Sequence, residues 1–114
     1  METKISESDL SQFIGTENYY RHWTGHGVYT DGVKYLAEKA GAYWLIDAIL
    51  SHRRREPFQL WTLKKDDDNS AVLTMQEDSG EPAKVSQKIP FTDFPLDQVK
   101  LYLIDGVVLL PSEY

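Results

Sequence analysis

Residues 19–31 hold the densest mixture of aromatic and ionisable side chains in the sequence, so any chemistry is first sought there. His22 and His26 are four positions apart, a spacing that on a helix face brings two imidazoles within reach of one metal ion. Gly25 and Gly27 argue against an unbroken helix at this point, and no HExxH-type glutamate lies between the histidines. Surface or hydrogen-bonded histidines are therefore the preferred interpretation, and no metal site is assigned.

The same segment supports two interpretations. As a binding pocket, it would use Arg21 to bind an anion and His22 as an acid or base, with tyrosines as the lining. As an aromatic plug, it would bury the rings of its tyrosines and tryptophan while their polar tips find partners, and this is the preferred interpretation. The candidate ligand-binding residues are Tyr20, Arg21, His22, Tyr29, Asp31 and Asp47.

Asp47 is included because it lies between Ile46 and Ala48 in an otherwise apolar stretch. It either points to the polar side of a helix or is partly buried beside a partner, for which Arg21 and His22 are the candidates. A structural pair is the preferred explanation. Since no GxSxG, P-loop or GxGxxG motif is present and the serines and histidines show no triad-like spacing, no catalytic residue and no cofactor is assigned, and enzymatic activity stays undecided.

Composition predicts one domain over residues 1–114, because 114 residues with 41% hydrophobic content can bury a core. The sequence contains no cysteine, which excludes disulfides and thiolate zinc sites and suits a reducing cytoplasm. Neither a signal peptide nor a stretch long enough to span a bilayer is recognisable, so a cytoplasmic protein without membrane contact is expected.

The net charge of −6 is unevenly distributed, since residues 58–114 contain 5 basic and 10 acidic groups. This predicts an acidic sheet half. It argues against a nucleic-acid ligand, because nucleic-acid binders carry a basic footprint that neutralises phosphates. It remains compatible with a partner that has a basic surface.

The elements that must position the candidate residues begin with residues 29–55. Val33, Leu36, Trp44 and Ile49 belong to an apolar stripe with helical spacing, capped by Thr30 or Asp31 and followed by the cationic run Arg53 to Arg55. Gly41 interrupts this pattern, and one helix bent at Gly41 is expected.

A short first helix is expected before this one, capped by Ser6 or Ser8 and docked through its apolar residues Leu10, Phe13 and Ile14. The following residues 17–23 are interpreted as one or two further helical turns.

Strands are predicted for most of the second half: residues 58–63 as an inner strand, 71–76, and 83–89 with one face in water. The polar stretch 64–70 is expected to be a loop, and 96–100 to include a helical turn. Two apolar runs, 101–104 and 107–110, flank Asp105-Gly106, a dipeptide that favours a tight β-hairpin turn. The predicted fold is α+β, with N-terminal helices packed on one face of an antiparallel sheet of about five strands.

Four stretches together resemble a family of small uncharacterised proteins from cyanobacteria and other bacteria, a domain of unknown function. They are GTENYYRH, YTDGVKYLAEKAGAYWLIDAI, IPFTDFP and LYLIDGVVLLPSEY. The resemblance covers nearly the whole chain and implies a single-domain bacterial protein, but it brings no activity, cofactor or site residue with it.

The favoured function is that of an interaction or accessory protein that binds an unknown protein partner through an acidic sheet face or the 101–110 hairpin. The alternative is a small enzyme or ligand-binding protein with its site in the Tyr19–Asp31 segment. A third hypothesis, an acidic DNA mimic, explains the charge only. A homodimer through a sheet edge or the final hairpin is a further expectation.

Overall fold

The computed structural model describes residues 5–53 and 55–114. Within them the elements, in chain order, are α1 (Glu7–Ser11), β1 (Tyr19–Arg21), β2 (Val28–Thr30), α2 (Asp31–Ala40), α3 (Tyr43–Ser51), β3 (Phe58–Lys65), β4 (Ala71–Gln76), β5 (Val85–Ile89), β6 (Gln98–Ile104), β7 (Val107–Leu109) and a 3₁₀ turn (Pro111–Glu113).

The seven strands described form one sheet in the order β1-β2-β7-β6-β3-β4-β5. All neighbours are antiparallel except β2 and β7, which run parallel. The α+β class is confirmed. An antiparallel sheet of about five strands was expected, whereas the sheet has seven described strands and is mostly antiparallel. The helices do not form a separate N-terminal layer, because β1 and β2 lie between α1 and α2.

The two strands missing from the prediction come from residues 19–30. Residues 17–23 were predicted as helical turns, but the chain forms β1, which pairs with β2 from Tyr19 opposite Thr30 to Arg21 opposite Val28. Tyrosines suit a strand as well as a short helical turn, and the two glycines that follow favour a hairpin loop. Spacing alone could not choose between these structures.

The long helical segment is two helices, so the expectation of a single bent helix is wrong. Thr30 caps α2 by accepting a hydrogen bond from the Val33 amide, and Gly41 ends it in a left-handed conformation with φ of 61°. A residue at this φ closes the helix and redirects the chain, which glycine does without a Cβ penalty. α3 then begins at Tyr43 and ends before Arg53. Arg54, in the predicted cationic run, lies outside the described residues.

The C-terminal hairpin is confirmed. β6 and β7 pair from Tyr102 opposite Leu109 to Ile104 opposite Val107, and both turn residues, Asp105 and Gly106, have positive φ. β6 starts at Gln98, so the helical turn predicted for 96–100 is wrong over its last residues. The inner position of β3 is confirmed, since it lies between β6 and β4.

The last residues fasten the start of α2. Glu113 accepts hydrogen bonds from the Thr30 hydroxyl at 2.6 Å and the Gly32 amide at 3.0 Å. A Cβ on Gly32 would lie 2.7 Å from both Glu113 and Leu110, closer than packed atoms come. Glycine at position 32 therefore lets the C-terminal turn approach the helix.

The core lies between the helices and one face of the sheet, here called the inner face. Val33, Leu36 and Ile49 of the predicted stripe are buried, whereas Trp44 is half-buried. The inner face supplies Trp61, Leu63, Leu73, Met75 and Leu101. Ser6 caps α1 as expected, but Ile14 is 84% exposed, so its predicted docking role is wrong. Among the described helices, none is both long and apolar enough to cross a membrane.

Candidate functional site

Two carboxylates from neighbouring helices hold the β1–β2 hairpin. Asp31, the first residue of α2, accepts hydrogen bonds from the Tyr20 hydroxyl at 2.9 Å and the Glu17 amide at 3.0 Å. Asn18 donates to Asp31 from both its amide and its side chain at 3.3 Å. These donors, the Glu17 amide foremost, lower the pKa of Asp31 to about 2.

Tyr20 and Tyr29 stack against each other across the hairpin, with ring centroids 5.7 Å apart. Tyr43 of α3 meets the Tyr29 ring edge-on at 6.4 Å. The hydrogen bond to Asp31 raises the pKa of the Tyr20 phenol, and burial raises that of Tyr29. This part of the predicted segment is packed aromatic against aromatic, as an aromatic plug would be. The rings of Tyr19 and Trp23 are exposed, so the expectation that they are buried as well is wrong.

Asp47 of α3 holds the other end of the hairpin. His22 is 4% exposed, and its Nε2 lies 2.6 Å from Asp47 Oδ1. The indole Nε1 of Trp23 donates to the same oxygen at 3.1 Å. Of the two partners considered for Asp47, the structure shows His22.

Thr24 completes this arrangement on the opposite side of the imidazole. The Thr24 amide donates to His22 Nδ1 at 3.3 Å, so Nδ1 is an acceptor and Nε2 carries the proton that is donated to Asp47. The Thr24 hydroxyl, 2.7 Å from Nδ1, is then the donor of that contact, and it accepts from the His26 amide. A hydroxyl, an imidazole and a carboxylate are thereby linked in series.

Arg21 is separate from both carboxylates. Alternation along β1 directs Tyr20 and His22 to the helices and Arg21 to the opposite, outer face of the sheet, where its side chain is exposed. The six predicted residues therefore divide into Tyr20 with Asp31 and Tyr29, His22 with Asp47, and Arg21 alone.

Three loops meet at the end of the sheet where this hairpin turns. They are residues 22–27, the segment that contributes Arg53 and residues 55–57, and the Asp105-Gly106 turn, and they border a cavity of about 340 Å³. His26, Arg53 and Arg55 line this cavity together with Leu50 and Leu103. Sequence analysis noted the arginines only as charges at a helix end, and no motif linked them to His26.

The outer face of the sheet includes part of the 101–110 hairpin, one of the two binding surfaces expected from the sequence, together with residues from β3 and the last turn that were not expected there. Phe58 and Tyr102 lie on it with ring centroids 5.1 Å apart, and Tyr114 packs on both, at 6.2 and 5.4 Å. Strand alternation places further apolar residues around them: Leu60, Ile104, Val107 and Leu109. This group of seven residues is called the outer apolar patch.

The outer face is not acidic, so that expectation is wrong. Within the described part of the chain, no strand contains an aspartate or a glutamate, because the carboxylates of the second half lie in loops and turns. Alternation and register place Arg21, Lys64, Lys88 and Lys100 on the outer face. The total charge of a segment did not predict the charge of its surface.

Residues 5–53 and 55–114 contain no cluster of side chains suited to bind a metal ion. No group of three or more histidine, aspartate or glutamate side chains there could hold an ion.

Comparison with known proteins yields one family. The model of a family of unknown function, DUF6876, matches residues 4–114. No curated protein and no solved structure matches the chain.

Proposed function

The chain belongs to the DUF6876 family of unknown function, and from its own surfaces we propose that it is an interaction protein whose outer sheet face binds an acidic, partly apolar segment of another protein. The outer apolar patch is the observation that carries this proposal. Most of its residues are only half-buried, and Tyr114, which lies over Phe58 and Tyr102, is still 76% exposed. Contiguous apolar and aromatic surface of this kind is typical of protein-binding sites.

The charges beside the patch favour an acidic partner. Lys100 lies opposite Thr62 and Lys64 opposite Gln98, one and two rows from the aromatic residues. Within the described residues neither lysine forms an ion pair. Lys88 differs, because it lies near Asp68. The pKa of the Asp68 carboxyl is lowered mainly by hydrogen bonds from Ser70, and Lys88 adds to this effect. Acidic residues next to apolar anchors would complement this surface.

Nucleic acid fits this face less well than an acidic protein segment. Asp66, Asp67 and Asp68 follow directly on β3, beside Lys64, and the chain as a whole carries −6. A phosphate backbone following the face would meet these aspartates, and few phosphates would be neutralised. The proposal therefore keeps a protein as the partner.

A second copy of the chain is also a poor occupant of the outer face, since two lysine-bearing surfaces repel each other. An edge-pairing homodimer would have to use β1 or β5, because both strands of the final hairpin are already paired on both sides. We place the protein in a bacterial cytoplasm as part of this proposal, supported by its lack of cysteine and by its resemblance to bacterial proteins.

The proposal is tested with synthetic peptides on a biosensor. One peptide alternates glutamate and leucine, a matched peptide alternates lysine and leucine, and a thymidine oligonucleotide represents nucleic acid. We expect binding of the acidic peptide only. Lys100→Glu should weaken it about tenfold, equivalent to about 1.4 kcal/mol, because a rim attraction becomes a repulsion.

Lys39→Glu is the matched control, since it makes the same charge change on the exposed side of α2. Equal losses in the two variants would reduce the effect to net charge and contradict the proposal. Binding of the oligonucleotide in preference to the acidic peptide would replace the protein partner by a nucleic acid.

A second candidate, a small enzyme with its site in the Tyr19–Asp31 segment, is favoured by the Thr24–His22–Asp47 series. A hydroxyl that donates to a carboxylate-backed imidazole is arranged as an activated nucleophile is. The neighbouring amides argue against it, because that of Gly25 donates to the His22 carbonyl and that of His26 to the Thr24 hydroxyl, so neither is free to stabilise an oxyanion. A burst of p-nitrophenol from p-nitrophenyl acetate that disappears in Thr24→Val would support this candidate.

A further inference from the structure

The cavity at the loop end of the sheet is lined by apolar side chains on one side and by cationic and imidazole side chains on another. Its apolar floor comes from Leu50 and Leu103, while His26, Arg53 and Arg55 supply nitrogen donors from two different loops. At about 340 Å³ it has the size of a small-molecule site. It lies away from the outer apolar patch, because its floor residues belong to the core cluster on the inner side of the sheet.

Arg53 adopts a backbone conformation that favours glycine. Its φ is 52°, in the left-handed region, immediately after α3. Glycine is the common residue at such a helix end, since a side chain there is strained. The presence of arginine at a position that favours glycine suggests that the arginine side chain has a function.

The guanidinium groups of both arginines are available to a ligand. In the part of the chain that the structure describes, neither the Arg53 nor the Arg55 side chain makes a hydrogen bond or an ion pair. Glu56 and Asp105 also border the cavity, so its charge is mixed and a bound anion would compete with these carboxylates. Guanidinium groups meet carboxylates and phosphates through paired hydrogen bonds, which gives them an advantage for oxyanions.

The loop that carries His26 is held rigidly against α3. A Cβ on Gly27 would lie 3.0 Å from both the Leu50 side chain and the Gly106 carbonyl, so the loop packs directly onto the helix. The His22–Asp47 hydrogen bond holds the start of the same loop against α3, one helical turn before Leu50. His26 is thereby kept at the cavity without an induced rearrangement.

We propose that this cavity binds a small molecule through an oxyanion group, a phosphate or a carboxylate, held by Arg53, Arg55 and His26 over the apolar floor. This goes beyond the protein-binding outer face and uses none of its residues. His26 would add a third donor opposite the arginines. The rest of such a ligand would contact Leu50 and Leu103.

The test is an NMR titration of the ¹⁵N-labelled protein with inorganic phosphate and, separately, with acetate, at constant ionic strength. We expect saturable shifts of the His26, Gly27 and Gly106 amides with at least one of them, and the tighter anion identifies the ligand group. Arg53→Gly should weaken binding at least tenfold while its Tm stays at or above that of the parent. Arg55→Gln should weaken it as well.

Lys39→Gln removes one cation from an exposed position that does not line the cavity and should leave the titration unchanged. Shifts that grow linearly with either anion without saturation, or that are equally reduced in Lys39→Gln, would show diffuse screening and overturn the proposal. Unchanged affinity in Arg53→Gly would do so too, and because that variant is not expected to unfold, the result cannot be attributed to loss of structure.

Discussion

Asp31 and Asp47 fasten the two ends of one β-hairpin, but through different partners. Asp31 begins α2 and accepts hydrogen bonds from two backbone amides, an asparagine and a tyrosine. Asp47 lies within α3 and accepts from a buried imidazole and an exposed indole. The first carboxylate joins the two ends of the hairpin, with partners 11 to 14 positions away, whereas the second spans 25 positions to reach its imidazole partner.

This difference separates a contact that closes the hairpin from a contact that docks the hairpin on α3. The Glu17 and Asn18 amides reach Asp31 whenever β1 pairs with β2, and these two contacts need no particular side chain at positions 17 and 18. His22 reaches Asp47 only when β1 lies on α3, so that contact reports the docking of the hairpin. The comparison predicts that changes around Asp47 affect global stability most, and that changes around Asp31 are felt mainly through pH.

The largest expected effect is that of His22→Ala. It removes a buried side chain, leaves a cavity beneath the hairpin and strips Asp47 of its main partner. We expect a loss of roughly 2 to 4 kcal/mol in the free energy of unfolding. Urea denaturation measures it, and a loss no larger than that of the exposed-site variant His26→Ala would show that the contact carries no tertiary role.

Asp47→Ala should have the next largest effect. It leaves the buried Nε2–H of His22 without its acceptor, and we expect a loss of about 1 to 2 kcal/mol in the free energy of unfolding. This is the lower part of the usual range for an unsatisfied donor, because the Asp47 side chain is 47% exposed and water can take its place. Asp47→Asn retains an acceptor oxygen and should lose less. If the two variants were equally destabilised in urea, the hydrogen bond would not be the cause.

The contribution of Asp31 to stability should depend on pH in the acid range. Its pKa is about 2 in the folded protein against an ordinary 3.8, so its contribution is complete above pH 4 and disappears as the pH falls through 2. The stability difference between the parent and Asp31→Asn should therefore shrink over that interval in thermal melts. A difference that stayed constant down to pH 2 would contradict the assignment.

The smallest expected effect is a change in the alkaline titration of one tyrosine. The hydrogen bond to Asp31 raises the pKa of Tyr20 above its ordinary 10.0, so one phenol should ionise late in an alkaline titration followed at 295 nm. Asp31→Asn should bring that phenol back towards its ordinary range. Tyr20→Phe identifies it, and a late phenol that persisted in this variant would have to be another tyrosine, such as Tyr29.

Sequence predicted best what is local. The hairpin around Asp105-Gly106 follows from two adjacent residues and was confirmed, as was a strand within residues 83–89 with one face in water. The β2–β7 pairing was missed, since it joins Val28 to Val107 and leaves no trace in either neighbourhood. This is the pairing that makes the sheet mixed.

The candidate residues show the same limit. Arg21 and His22 were equal candidates as partners of Asp47 while residues 17–23 were taken as helical. In a strand, adjacent residues point to opposite faces, so only one of them can face α3. The cavity lined by His26, Arg53 and Arg55 depends on three loops meeting, which no spacing along the chain encodes.

The contact between Thr30 and Glu113 has a consequence for how the molecule is made. These residues are 83 positions apart, and β7 immediately before Glu113 supplies the neighbour strand of β2. During synthesis the first hairpin and the start of α2 must wait, incompletely supported, until β7 and Glu113 have left the ribosome. Folding of the first hairpin should therefore be completed only after Glu113 has emerged, with closure of this long loop among the last and slowest steps.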